Sequence, residues 1–216
     1  PYILSQNNDW ITGLFLLILV LLTGLKIFYQ KRILHTGTYF YSKIYISIYF
    51  NKVKNKVFNF FQSTLFLIQI TVLSLLFYFA SLQYNLTVSV FNFHPFVSVF
   101  IFVFIYFFSR YLLGVLLSSA FNLKNDFDKL VYFKMSYFHN LILWLIPFMI
   151  LQNYIANYKI IMLNISLTIF FILLLFRYSL LLYHNKKLIF SDLFYFILYL
   201  CALEIAPLII IIKIII

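Results

Sequence analysis

The chain has 216 residues, of which 65% are hydrophobic, 23% aromatic and only 10% charged. A soluble domain is about half apolar and about a quarter charged, so this composition excludes a soluble globular domain. The net charge of +11 would suit a nucleic-acid partner, but the basic residues flank apolar runs instead. That arrangement is typical of membrane proteins with basic cytoplasmic loops, so we expect no nucleic-acid partner.

Six apolar segments follow one another along the chain, and each is long enough to cross a bilayer. The predicted spans cover residues 9–29, 58–82, 94–121, 131–153, 160–184 and 191–216. Asp9 and Trp10 open the first span, where an N-cap and an interfacial aromatic residue are favoured. The sequence therefore predicts an all-α polytopic transmembrane bundle that forms a single domain.

Residues 33–57, between the first two spans, form a predicted cytoplasmic linker. Its aromatic-rich part, residues 38–50, is too short and too charged at its ends to span comfortably. We expect this part to lie in the membrane interface, and an ordinary aromatic-rich loop is the alternative. The residues expected to anchor this region to the membrane surface are Lys31, Arg32, Lys43, Lys52, Lys54 and Lys56.

The basic residues predict the orientation of the bundle. With the loop after the first span inside, thirteen Lys and Arg residues lie at the cytoplasmic side. Only Lys159 and Lys213 lie outside, and Arg110 lies within the membrane. This bias predicts that the bundle begins and ends on the outer side. Residues 122–129, the most polar stretch of the chain, are expected to form an exposed loop.

A buried polar cluster is predicted from two charges at similar depth. Counted along the helices from their predicted cytoplasmic ends, Arg110 lies roughly 16 Å deep and Glu204, in the last span, roughly 18 Å deep. An unpaired charge at such depth is costly, so we expect the two to pair directly or through water. The alternative is that Arg110 extends toward the interface and Glu204 is protonated. His139 and Asn140, in the fourth span, are placed to join this cluster.

The cysteine and histidine content predicts no cofactor and no metal site. Cys201 is the single cysteine, which excludes an internal disulfide and a multi-cysteine metal site. Haem would need two axial ligands at one depth on facing helices. His94 and His139 are predicted at different depths, while His35 and His184 are predicted to be cytoplasmic, so no pair matches.

Two segments of the chain resemble one known family. They are residues 8–26, NDWITGLFLLILVLLTGLK, and residues 197–213, ILYLCALEIAPLIIIIK, in which Leu-Glu-Ile-Ala-Pro at 203–207 is the most specific part. The chain resembles the small polytopic inner-membrane proteins of Bacteroidota that carry the label domain of unknown function 4271. The likeness in layout covers most of the chain. It implies a location, the cytoplasmic membrane of a Gram-negative Bacteroidota cell, and not a reaction.

From these features we expect an accessory or scaffold subunit of a larger inner-membrane or envelope complex. A secretion, gliding or respiratory assembly is a plausible host. Its partners would be membrane lipids and other membrane subunits, bound through apolar helix faces. One alternative is a small proton-coupled transporter that uses Glu204, Arg110 and His139 as a relay. A second is a lipid-modifying enzyme that uses Asp126 and Asp128, although no catalytic sequence motif supports an enzyme.

Overall fold

The computed structural model describes residues 9–37, 59–84, 94–120, 124–155 and 159–184. The helices in these ranges are α1 (Asp9–Phe28), α2 (Gln30–Gly37), α3 (Phe60–Gln83), α4 (Pro95–Ala120), α5 (Lys124–Tyr154) and α6 (Lys159–His184). The predicted all-α fold is confirmed. The predictions for the interfacial segment at residues 38–50 and for the last span at residues 191–216, with Glu204, lie outside the described residues.

Five of these helices are long and apolar enough to cross a membrane. They are α1, α3 and the larger parts of α4, α5 and α6, and α2 is too short. An apolar helix suits a bilayer because its backbone N–H and C=O groups bond within the segment, where no water is present to replace them. The prediction of a polytopic helical bundle is confirmed to this extent.

The spans α1, α3 and α4 alternate in direction, as contacts at one end of the bundle show. At one end the Trp10 ring packs 5.4 Å from Tyr78, 5.1 Å from His94 and 5.1 Å from Phe96, measured between ring centroids. These contacts join the start of α1, the end of α3 and the start of α4. The first of these helix ends is predicted to be extracytoplasmic, so we call this the outer end.

Two helices form the centre of the bundle. In the apolar stretch of each candidate span, the buried share is 61% in α3 and in α5, against 22% in α1 and 17% in both α4 and α6. The buried core includes Ile70 and Leu76 of α3, and Leu141 and Leu145 of α5, all at 0% exposure. The peripheral helices α1, α4 and α6 therefore pack through one narrow face, and their other faces are exposed.

The helix α2 differs from the predicted linker. After α1 ends, the chain bends at Tyr29 and continues as α2 through residues 33–37, which the sequence predicts to be part of the linker. Arg32 and Thr36 lie one turn apart on α2 and are buried at 8% and 1% exposure. Because i and i+4 share one helix face, they give α2 a single face that packs on α5.

The expected loop at residues 122–129 is wrong for residues 124–129, because α5 begins at Lys124. The helix has 31 residues and is therefore about 46 Å long, well beyond the ~30 Å hydrocarbon layer. Asp126 and Asp128 fall in its first two turns. The polar run therefore does not end the helix.

Candidate functional site

A cavity of about 330 Å³ is lined by residues of α3, α4, α5 and α6. Of the described residues that line it, seven are apolar, three are basic and none is acidic. The lining residues are Phe66, Gln69, Phe104, Phe107, Phe108, Arg110, Tyr111, Val131, Lys134, Met135, Phe138 and Arg177. We call it the basic cavity. Three cations on three different helices converge there, so the site is assembled by packing and not by one segment.

Arg177 is held between two helices. It comes from α6, is 6% exposed, and its Nη2 donates a hydrogen bond of 3.0 Å to the Lys134 carbonyl oxygen on α5. Its guanidinium carbon lies 4.4 Å from the centroid of the Phe138 ring. A cation over an aromatic face is stabilised by the ring quadrupole. Arg177 therefore joins α6 to α5 as well as contributing charge to the cavity.

Arg110 lines the same cavity from α4. Its side chain is half-buried, and its Nη1 donates a 3.4 Å hydrogen bond to the Tyr106 hydroxyl one turn earlier. Arg110 was predicted to lie within the membrane, and it falls inside a candidate span. Because Glu204 is outside the described residues, its pairing with Arg110 stays a prediction.

His139 and Asn140 are both buried in α5, at 1% and 0% exposure, but neither lines the basic cavity. Asn140 faces α2, where its Nδ2 donates to the Thr36 carbonyl oxygen. Within the described part of the chain, the Asn140 Oδ1 and both ring nitrogens of His139 have no hydrogen-bond partner. The predicted relay from His139 to Arg110 is therefore not a hydrogen-bonded chain among the described residues.

A second polar region joins α2 to α5, and we call it the α2–α5 seam. The Arg32 Nη2 donates to the Tyr132 hydroxyl over 2.9 Å. The Asn140 bond to Thr36 lies two turns further along α5. At the end of α2, the Trp144 indole N–H donates to the Gly37 carbonyl oxygen over 3.4 Å. The spacing of four along α5 from 132 through 136 and 140 to 144 places these side chains on one helix face.

The residues that the sequence predicts as membrane anchors have different environments in the structure. Lys31 is exposed on α2, as a residue at a membrane surface would be. Arg32 is buried in the α2–α5 seam instead, where its guanidinium carbon lies 4.3 Å from the Phe61 ring centroid. Its long side chain reaches the bundle interior because α2 turns back onto α5. The remaining predicted anchors, Lys43, Lys52, Lys54 and Lys56, lie outside the described residues.

Sequence reasoning missed Lys134 and Arg177 as site residues, because both were counted with the cytoplasmic charges. The sequence does carry a signal for both residues. Lys134 and Arg177 are each basic and lie inside a candidate span, near the same predicted end of the bundle as Arg110. Only the packing of α4, α5 and α6 shows that the three side chains share one cavity.

Comparison with known proteins agrees with the family resemblance. No curated protein and no solved structure matches the chain. Residues 11–215 match the family described as Domain of unknown function (DUF4271). The match includes every described helix except the first two residues of α1. The chain therefore belongs to this family.

Proposed function

We propose that the protein is a subunit of a larger assembly in the cytoplasmic membrane, and that α6 carries a contact surface for a partner helix. The observation that carries this proposal is a pair of exposed polar residues, Asn164 and Thr168, on an apolar span. We call the surface that contains them the outward α6 face. Its exposed residues are Ile161, Asn164, Ile165, Thr168, Phe171, Ile172, Leu175 and Ser179.

Within the described part of the chain, Asn164 and Thr168 use some of their polar groups in hydrogen bonds. The Asn164 Oδ1 accepts a 3.0 Å hydrogen bond from the Tyr84 hydroxyl, and the Thr168 hydroxyl donates to the Asn164 carbonyl oxygen over 2.6 Å. The side-chain amide of an asparagine also has two N–H donors. Counted from Lys159, Asn164 lies about 8 Å along the helix and Thr168 about 14 Å.

The membrane environment determines whether the side chains of Asn164 and Thr168 are more stable against lipid or against a partner helix. Lipid tails are as apolar as leucine, so apolar area alone does not drive helix association in a bilayer. Polar side chains that bond across a helix interface do contribute, and polar groups that face lipid are costly. A partner helix that accepts from the Asn164 amide would satisfy both conditions. The neighbouring apolar residues of the outward α6 face would then supply shape contacts.

The cytoplasmic membrane is part of this proposal. The excess of basic residues on one side of the predicted topology supports it, since such a bias accompanies insertion with those loops in the cytoplasm. The resemblance to inner-membrane proteins of Bacteroidota supports the same location. A secretion, gliding or respiratory assembly remains a plausible host, and no described residue selects among them.

A native purification of a tagged full chain tests the proposal. Wild-type protein should retain a stoichiometric partner in mild detergent, and Asn164→Leu, which keeps the size but removes the amide, should lose it. Thr23→Val is the matched control, because Thr23 is exposed on α1 and its hydroxyl donates to the Val20 carbonyl oxygen of the same helix. A wild-type chain that purifies alone, or a partner retained by Asn164→Leu, would contradict the proposal.

A further inference from the structure

We propose that the basic cavity binds the phosphate of an anionic phospholipid from the cytoplasmic leaflet, with the lipid's acyl chain against the aromatic wall. This goes beyond the subunit proposal, which concerns the outward α6 face and does not depend on the cavity. The inference rests on the charge of the lining, the position of the cations toward one end of the bundle and the aromatic opening of the cavity.

The charge of the lining is the first support. Arg110, Lys134 and Arg177 come from α4, α5 and α6, and none of the described lining residues is acidic. Cations held together in a low-dielectric setting favour an anion near them, because their mutual repulsion is screened less than in water. A phosphate offers several acceptor oxygens to Arg and Lys donors, and arginine matches that geometry well.

The position of the three cations along their helices is the second support. Arg110 lies in the second half of α4, Lys134 in the first half of α5 and Arg177 in the last third of α6. They line one cavity, so these parts of the helices lie at the same level of the bundle. The end of α4, the start of α5 and the end of α6 are predicted to be cytoplasmic, where anionic lipids bind basic pockets between helices.

The opening of the cavity is the third support. Phe104 and Phe108 lie one turn apart on α4, their rings are stacked with centroids 6.2 Å apart, and they are 44% and 55% exposed. They line the cavity and also reach the outer surface of the bundle. A lipid can therefore enter from the side, with its headgroup at Arg110 and its chain along these rings.

The size of the cavity and its lining favour a lipid over a free anion. Ligand pockets usually measure about 300–1,000 Å³, and this cavity has about 330 Å³. Most of its lining side chains are apolar, including Phe66, Phe107 and Met135. A free phosphate would leave that apolar wall without a partner, whereas an acyl chain would cover it.

Lipid titration of the purified full chain tests the inference. The protein is held in neutral detergent with added phosphatidylglycerol or phosphatidylethanolamine, and bound lipids are counted by native mass spectrometry. We expect a preference for phosphatidylglycerol. Arg110→Gln and Lys134→Gln should each lower its affinity about fivefold, the equivalent of about 1 kcal/mol per cation. Arg110→Lys keeps the charge and should retain most of the affinity, which separates loss of charge from loss of folding.

Lys26→Gln is the matched control, because Lys26 is exposed near the same end of the bundle and lies outside the cavity. Equal binding of the two lipids, or an equal loss in Lys26→Gln, would overturn the inference. Displacement of the lipid by inorganic phosphate alone would identify a free anion as the ligand. Binding seen only in Glu204→Gln would show that the chain's own carboxylate fills the site, and would also overturn it.

Discussion

The α2–α5 seam and the basic cavity each place an arginine against a phenylalanine ring, but their surroundings differ. Arg32 lies 4.3 Å from the Phe61 ring centroid, and Arg177 lies 4.4 Å from that of Phe138. In the seam, the neighbouring polar groups form hydrogen bonds between α2 and α5, so Arg32 helps to hold these two helices together. In the cavity, Arg177 stands beside two further cations and about 330 Å³ of space. Burial of an arginine therefore does not by itself distinguish a structural role from a binding role; its neighbours do.

The largest expected loss of stability comes from removing the Arg32 side chain from the α2–α5 seam. Arg32→Ala removes the hydrogen bond to the Tyr132 hydroxyl and the contact with the Phe61 ring. A hydrogen bond from a charged group and a desolvated cation–π contact together contribute about 4 kcal/mol, so the thermal unfolding midpoint in detergent should fall clearly. Lys31→Ala, at the exposed neighbouring position, should leave the midpoint nearly unchanged. Equal midpoints for the two variants would place Arg32 outside the packing of the bundle.

The next effect tests whether the cavity has a counter-ion within the chain. If Arg110 pairs with Glu204, then Arg110→Glu or Glu204→Arg alone should place an unmatched charge in the membrane, at a cost of roughly 3 kcal/mol on insertion scales. The double exchange should restore much of the folded yield in membranes. Yields that fall further in the double variant, with no rescue, would argue against the pair. Lys26→Glu, near the same predicted end, controls for a general loss of positive charge.

A smaller effect is expected where the seam uses an amide. Asn140→Leu removes the hydrogen bond from the Asn140 Nδ2 to the Thr36 carbonyl oxygen and leaves that buried acceptor without its donor. Loss of one partner from a buried hydrogen bond costs about 2 kcal/mol, so detachment of α2 should become measurable by protease accessibility near Gly37. Thr23→Val is the comparison on an exposed face. Unchanged protection of α2 in Asn140→Leu would mean that the other seam contacts suffice.

The smallest effect concerns the outward α6 face and is compared with a substitution in the buried core. Leu175 is 70% exposed on the outward α6 face, so Leu175→Ala should change the stability of the isolated chain by less than about 0.5 kcal/mol. Leu141→Ala, at 0% exposure in α5, should lower the stability by about 3 kcal/mol. Thermal unfolding of both variants in detergent checks this ranking. A marked loss in Leu175→Ala would show that the face is covered even in the isolated chain.

Several features could be predicted because they depend on local composition. An apolar run of about 20 residues needs internal hydrogen bonds in a bilayer, so the type and rough position of the helices followed from the sequence. Helix boundaries were harder to predict. The polar run that contains Asp126 predicts a loop, yet α5 begins at Lys124 and extends through it, since the backbone hydrogen bonds of a helix do not require apolar side chains.

The sequence by itself determined that this chain forms a bundle of apolar helices, that its basic residues gather toward one predicted side, and that Arg110 lies inside a span. Only the tertiary structure decided that Arg32 is buried, and that Lys134 and Arg177 share a cavity with Arg110. The physical reason is that helix formation depends on neighbours in the chain, whereas these contacts depend on how helices rotate against one another. A long arginine side chain can face solvent, a ring or a cavity, and the packing of adjacent helices selects among them.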